Sequence, residues 1–142
     1  MSYTPSKQVL ERYADVLINF ALGGGAGIEP GDVVRIVASE AAKPLYVELH
    51  HAVWKAGGHT IGHYLPDDDD DGFNLTRDYY SLARSEQIDF FPAAYQRGLI
   101  DQIDHSVSVI SDADMHALEG VDPALIMRKG KSMKPAIEWR TE

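Results

Sequence analysis

The sequence predicts an α/β fold: a doubly wound, mostly parallel sheet of at least three strands with helices on both faces. Three observations predict it. Short runs with strand character occur near residues 33–37 (VVRIV), 59–65 and 105–111. Longer segments with apolar residues at helical spacing lie before, between and after them. The resulting order of helix, strand, helix, strand, helices, strand, helix calls for parallel strands joined by right-handed crossovers.

Taken in order, Thr4 and Pro5 read as an N-cap and first-turn proline. Val9, Tyr13, Val16, Leu17 and Phe20 then define an amphipathic helix over residues 5–22, stopped at Gly23. The run GGGAG at 23–27 has the composition of a phosphate loop, but such a loop needs a strand before it and a helix after it. Here that order is reversed, which favours a C-cap and linker. Pro30 and Gly31 turn the chain into the first strand. Leu45, Leu49, Val53 and Ala56 share one face of a helix over about 43–56, closed by Gly57 and Gly58, and the second strand follows over about 59–65. Leu75, Tyr79 and Leu82 mark a helix within 74–85; a short helix is expected over 85–91; and Pro92 opens another carrying Tyr95, Leu99 and Ile103. The third strand spans 105–111, and Asp122 with Pro123 caps a last helix ending near Lys134 and Pro135.

The 142 residues, 44% hydrophobic and 25% charged, suit a single globular domain over 1–142. A net charge of −9 disfavours a surface for phosphate backbones, so nucleic acid is not an expected partner. With no cysteine there is neither disulfide nor thiolate chemistry. The longest uncharged run, residues 16–28, is too short and glycine-broken to span a bilayer, and the start MSYTPSKQ lacks a secretory core. The expected location is cytoplasmic, with no membrane partner.

Chemistry would first be sought in HHAVWKAGGHTIGHYLPDDDDDG, residues 50–72, which holds four of the six histidines and five consecutive aspartates. Geometry argues against a metal site there. His50 and His51 are helical neighbours whose side chains diverge by about 100°. His59 and His63 sit on a strand, where four residues span about 13 Å, far beyond shared coordination at about 2 Å. The aspartates at 67–71 lack the alternation and distal glutamate of a calcium loop and read as a solvated turn.

Ligands of open parallel sheets bind outside the carboxyl ends of the strands. Those ends carry Ser39 and Glu40, then the aspartates at 67–71, then Asp112 and Asp114. An acidic rim of Glu40, Asp112 and Asp114 is thus the candidate cation or amine site, against the plainer reading that Asp and Ser cap helices and initiate turns. No nucleophile with an evident base accompanies it. Trp54 and Trp139 read as core or interface aromatics, and Arg128, Lys129, Lys131 and Lys134 as complements to a helix dipole.

Two long segments carry a family resemblance: GIEPGDVVRIVASEAAKPLYVELHHAVWKAGGHTIGHYLPD and SEQIDFFPAAYQRGLIDQIDHSVSVISDADMHALEGVDPALIMRKGKSMKPAIEWRTE. Together they resemble the amino-terminal region of the thermophilic aminopeptidase (aminopeptidase T-like) family of metallopeptidases. LEGVDP at 118–123 and KSMKP at 131–135 are the most distinctive pieces, and neither is a catalytic motif. The resemblance implies a parent enzyme that removes N-terminal amino acids from peptides with two divalent metal ions (Zn, Co, Mg or Mn), bound in a separate carboxyl-terminal domain. It implies no catalytic, cofactor or metal residue within these 142 positions. The expected partners are that catalytic domain of the same parent chain, peptide substrates of the parent, and a second copy in a homodimer. A free-standing cation or small-molecule module using the acidic rim is the alternative.

Overall fold

The computed structural model describes residues 6–67, 74–109 and 122–132. The chain divides into two compact units, Met1–Pro66 with Ile103–Ser111, and Asp67–Gln102 with Asp112–Glu142.

The first unit holds the sheet. Strands β1 (Val33–Ser39), β2 (His59–Leu65) and β3 (His105–Val109) are all parallel, in the order β2-β1-β3. The chain therefore crosses from one side of β1 to the other, the strand order on which doubly wound sheets are built. All three strand starts fall where residue type predicted them, and Ile110 and Ser111 lie outside the described residues.

Register determines what each strand faces. Ile36 pairs with Gly62 and with Val107, so Val34, Ile36, Ala38 and Val107 share one face with Thr60, Gly62 and Tyr64. Helix α2 (Lys43–Lys55) lies on this face, its N-terminus opened by Pro44 in the first turn. Leu49, Ala52 and Val53 of α2 meet Val34, Ile36 and Val107 in one core cluster. Leu45 and Ala56 pack around it, as their spacing predicted. Burying each large aliphatic side chain contributes roughly 1.5–3 kcal/mol relative to exposure.

Helix α1 (Lys7–Val16) packs beside α2 and departs from expectation in three ways. Its cap is Ser6, whose Oγ accepts from Val9 N–H at 3.3 Å; Thr4 and Pro5 lie outside the described residues. It passes directly into a π-helical turn, Leu17–Ala21, in place of a regular helix to residue 22. Its buried face is Ala14 and Ile18, with Leu17 against the cluster, while Val9, Tyr13, Val16 and Phe20 are 51%, 53%, 52% and 65% exposed. Of the predicted stripe, Leu17 packs against the core and the other four residues face outward. Small Ala14 is what lets α1 approach the α2 side of the core, and size-weighted periodicity favours the larger residues on the wrong side.

The glycine run behaves as a reversing turn. Gly25 and Gly27 N–H donate to the Leu22 carbonyl, at 3.3 and 2.8 Å, and Ala26 N–H to Gly23 at 3.4 Å, so these amides are occupied within the turn rather than offered to an anion. Gly27 has φ +81°, and a Cβ there would collide with the Asn19 backbone.

The second unit is helical. Asn74 caps α3 (Leu75–Leu82), its Oδ1 accepting from Arg77 N–H at 2.8 Å. The short α4 (Ser85–Ile88) buries Ile88, α5 spans Ala93–Gln102, and α6 (Pro123–Ser132) starts at the predicted Asp122 cap, which accepts from Ala124 N–H at 2.9 Å. Arg128 of α6 is a two-pronged clamp on Asp89, at 2.7 and 3.3 Å, and also donates to Ser85. The clamp lowers the Asp89 pKa and raises that of Arg128. Lys129 donates to the Phe90 carbonyl at 3.2 Å and stands over the Tyr79 ring. Two of the basic residues predicted to complement the helix dipole thus have specific partners in this unit, whereas Lys134 lies outside the described residues. Leu75 and Leu82, chosen by spacing as a helix face, are 66% and 81% exposed. Among the described residues, no helix is long and apolar enough to cross a membrane.

Candidate functional site

At the carboxyl ends of the strands, β1 delivers Ser39, which is buried, and Glu40, exposed on a 3₁₀ turn Glu40–Ala42. Tyr64, near the end of β2, donates its hydroxyl to the Glu40 carbonyl at 3.4 Å. Glu40 is the one member of the predicted acidic rim that the structure describes. Asp112 and Asp114 lie outside the described residues, as do the aspartates at 68–71. Among the described residues no three His, Asp or Glu side chains converge as a metal site would require. His59 and His63 lie on β2, on one face and four residues apart, as the strand reading required.

The opposite end of the sheet is stapled by charge. Asp32 Oδ2 accepts from Glu29 N–H at 2.9 Å and meets His105 Nε2 at 2.9 Å, and Asp104 accepts from Val33 N–H at 2.8 Å. The Glu29 amide first, and His105 second, hold the Asp32 carboxyl below the usual carboxylate range. These contacts fix the start of β1 against the start of β3, away from the end where ligands of such sheets bind.

A row of ring side chains runs along α2. Tyr46, His50 and Trp54 recur every four residues and so lie on one helical face. Tyr46 and His50 meet edge to face with ring centroids 4.6 Å apart, His50 and Trp54 are 5.5 Å apart, and Tyr64 of β2 lies 5.3 Å from Tyr46. Gly62 makes room for the row: a Cβ there would strike the Tyr46 hydroxyl and come within 3.1 Å of the His50 ring. Trp54 Nε1 donates to Thr60 Oγ1 at 3.2 Å, tying the end of α2 to β2. Tyr46, His50 and Trp54, with Val47 and His51, line an open groove of about 250 Å³.

Trp54 is 57% exposed, which removes the core half of the core-or-interface expectation. His50 Nε2 is shielded from solvent without a hydrogen-bond partner among the described residues. Burial, and secondarily the neighbouring His51, lowers the His50 pKa. The row contains no nucleophile paired with a base, and its chemistry is that of apolar and aromatic contact. Adjacency pairs His50 with His51 and leaves Trp54 single; the four-residue spacing of Tyr46, His50 and Trp54 is the sequence signal that joins them.

No curated protein matches the chain. Among solved structures it is similar to wild-type AmpT from Thermus thermophilus, with a TM-score of 0.71 and 25% sequence identity over 96% of this chain. The match spans 32% of that structure's chain, about a third of its length. The family model described as thermophilic metalloprotease (M29) matches residues 6–141. Sequence family and backbone thus agree over nearly all of these residues, and the chain belongs to the thermophilic metalloprotease family.

Proposed function

We propose that this chain serves a metal-dependent aminopeptidase that removes N-terminal amino acids from peptides, and that its own part is to build the scaffold, limit access to the active site or form a dimer. The observation that carries this reading is the family match over residues 6–141, together with a fold shared with about a third of AmpT. Peptide cleavage by two divalent ions, Zn, Co, Mg or Mn, requires carboxylates and imidazoles that converge on sites about 3.5–4 Å apart. The described side chains do not fit such an ion pair: His59 and His63 are four residues apart along a strand, and among the described residues no three His, Asp or Glu side chains converge. The ions are therefore assigned to a carboxyl-terminal catalytic domain of the same parent chain, the first partner of this one. A cytoplasmic setting and a homodimeric parent complete the proposal.

The test is an assay of the purified 142-residue chain on leucyl-p-nitroanilide with each of the four ions added in turn, beside the same assay on the parent enzyme. The parent should release leucine only with metal, and the 142-residue chain should release none. Metal-dependent release by the 142-residue chain, cleared of contaminating peptidases, overturns the division of labour.

A further inference from the structure

A second cavity, of about 320 Å³, lies between α1 and α2 and is lined by Lys7, Leu10, Lys43, Pro44, Val47 and Glu48. Its size is at the small end of ligand cavities, which run from roughly 300 to 1,000 Å³. Glu48 is the unusual member. It is 5% exposed, and its Oε2 is sealed from solvent without a hydrogen-bond partner among the described residues. The nearest cationic candidate, His51 Nδ1, stands 3.5 Å away, at the outer limit of a hydrogen bond, and adds charge only when protonated. A carboxylate oxygen removed from water without a donor is costly, and a cation that brings an N–H group to it recovers that cost. Rotation about the last side-chain bond can turn either oxygen toward the cavity.

The other walls say what kind of cation fits. Leu10, Pro44 and Val47 are apolar, and Lys7 and Lys43 are exposed, with long side chains able to reach the mouth. A simple metal ion would leave the apolar wall unused and would find one carboxylate where such ions take several oxygens. A molecule with an ammonium at one end, a carboxylate beside it and an apolar body matches all three kinds of lining. We propose that the cavity between α1 and α2 binds a free α-amino acid with an apolar side chain, its ammonium on Glu48, its carboxylate between Lys7 and Lys43, and its side chain against Leu10, Pro44 and Val47. Charge-assisted contacts to the ammonium and the carboxylate set the orientation. The inference does not depend on the aminopeptidase reading, since it uses only these six side chains.

The experiment is a titration of the isotope-labelled 142-residue chain with millimolar L-leucine, followed by amide NMR shifts. Three comparison ligands accompany it: 4-methylpentanoate, which lacks the ammonium; isoamylamine, which lacks the carboxylate; and glycine, which lacks the side chain. Leucine should give saturable shifts centred on Leu10, Val47 and Glu48, and 4-methylpentanoate none. Glu48→Gln should weaken leucine by about tenfold or more, the equivalent of about 1.4 kcal/mol. Should Glu48→Gln fail to fold, the exposed pair Lys7→Glu with Lys43→Glu decides, because it should weaken leucine while leaving isoamylamine binding intact. Absent or unsaturable shifts, shifts centred elsewhere, equal binding of 4-methylpentanoate, or leucine affinity indifferent to the lysine reversal would each overturn the site.

Discussion

Strands β1 and β2 are both seven residues long and pair in parallel at all seven positions, yet the last four side chains of β1 are buried and none of β2 is. Backbone geometry is the same in both, so the difference comes from what flanks them. β1 has a strand on each side and α2 across its face, whereas β2 pairs only with β1 among the described residues. The two strands also spend their α2-facing sides differently. Val34, Ile36 and Ala38 fill the core, while Thr60, Gly62 and Tyr64 lie against the aromatic row of α2. The lesson is a separation of tasks: the stability of the first unit is concentrated on β1, and β2 supplies a surface.

The largest effect should come from cutting that core. Ile36 is fully buried in the main cluster, so Ile36→Ala should lower unfolding free energy by about 2–5 kcal/mol, the lost transfer energy plus the cavity left behind. Ile61, on the opposite face of β2 and partly exposed, should cost under about 1 kcal/mol as Ile61→Ala. Urea midpoints for the two variants measure the contrast directly, and equal losses would erase the distinction between the strands.

A smaller effect, aimed at the groove, is expected of Gly62→Ala. The new methyl would strike the Tyr46 hydroxyl, which is the tip of a mobile side chain, so the ring swings away rather than the backbone yielding. The cost should be about 1 kcal/mol. The sharper readout is optical: with Trp139→Phe as background, Trp54 emission should shift as the row beneath it is disturbed. Unchanged emission would mean that the row is not mechanically continuous from Tyr46 to Trp54.

How much of this was legible beforehand varies with what each residue type reports. The bounds of β2 could be read because Gly57-Gly58 and Pro66 punctuate a strand-like run, and α2 because Leu45, Leu49, Val53 and Ala56 are its only sustained apolar face. The orientation of α1 could not, because its apolar arc is wide enough to hold two adjacent stripes, and periodicity does not report which of them is covered. The π-helical turn after Val16 leaves no composition signal, and it rotates every later side chain relative to a regular helix. Glu48 was equally hidden: a glutamate flanked by Val47 and Leu49 gives no sign that it is the charged one taken inside. The acidic rim was legible as composition only, since convergence of Glu40 with Asp112 and Asp114 is a three-dimensional property.

The smallest effect is a pH slope, and its sign follows from the groove. Burial is the main reason that the His50 pKa lies below its ordinary value of 6.5, with His51 adding repulsion. Tyr46 and Trp54 face the His50 ring edge-on and bring no charge to it. The unfolded chain therefore takes up this proton more readily than the folded one, and stability rises with pH across the interval between the two values. The contribution is complete above pH 6.5 and is lost as pH falls through the lower folded value. Relative to wild type, His50→Gln should have a flatter stability profile in that window and an unchanged one above it, read from chemical unfolding at a series of pH values. Trp54→Ala tests the cause as well as the sign. It removes an exposed ring from beside His50, so it should raise the His50 pKa toward the ordinary value and narrow the window. A slope that survives His50→Gln would move the titration to another group. A slope that vanishes with His50→Gln but ignores Trp54→Ala would mean that the shielding comes from the Gly62 side of the groove, where His50 Nε2 lies closest to the sheet.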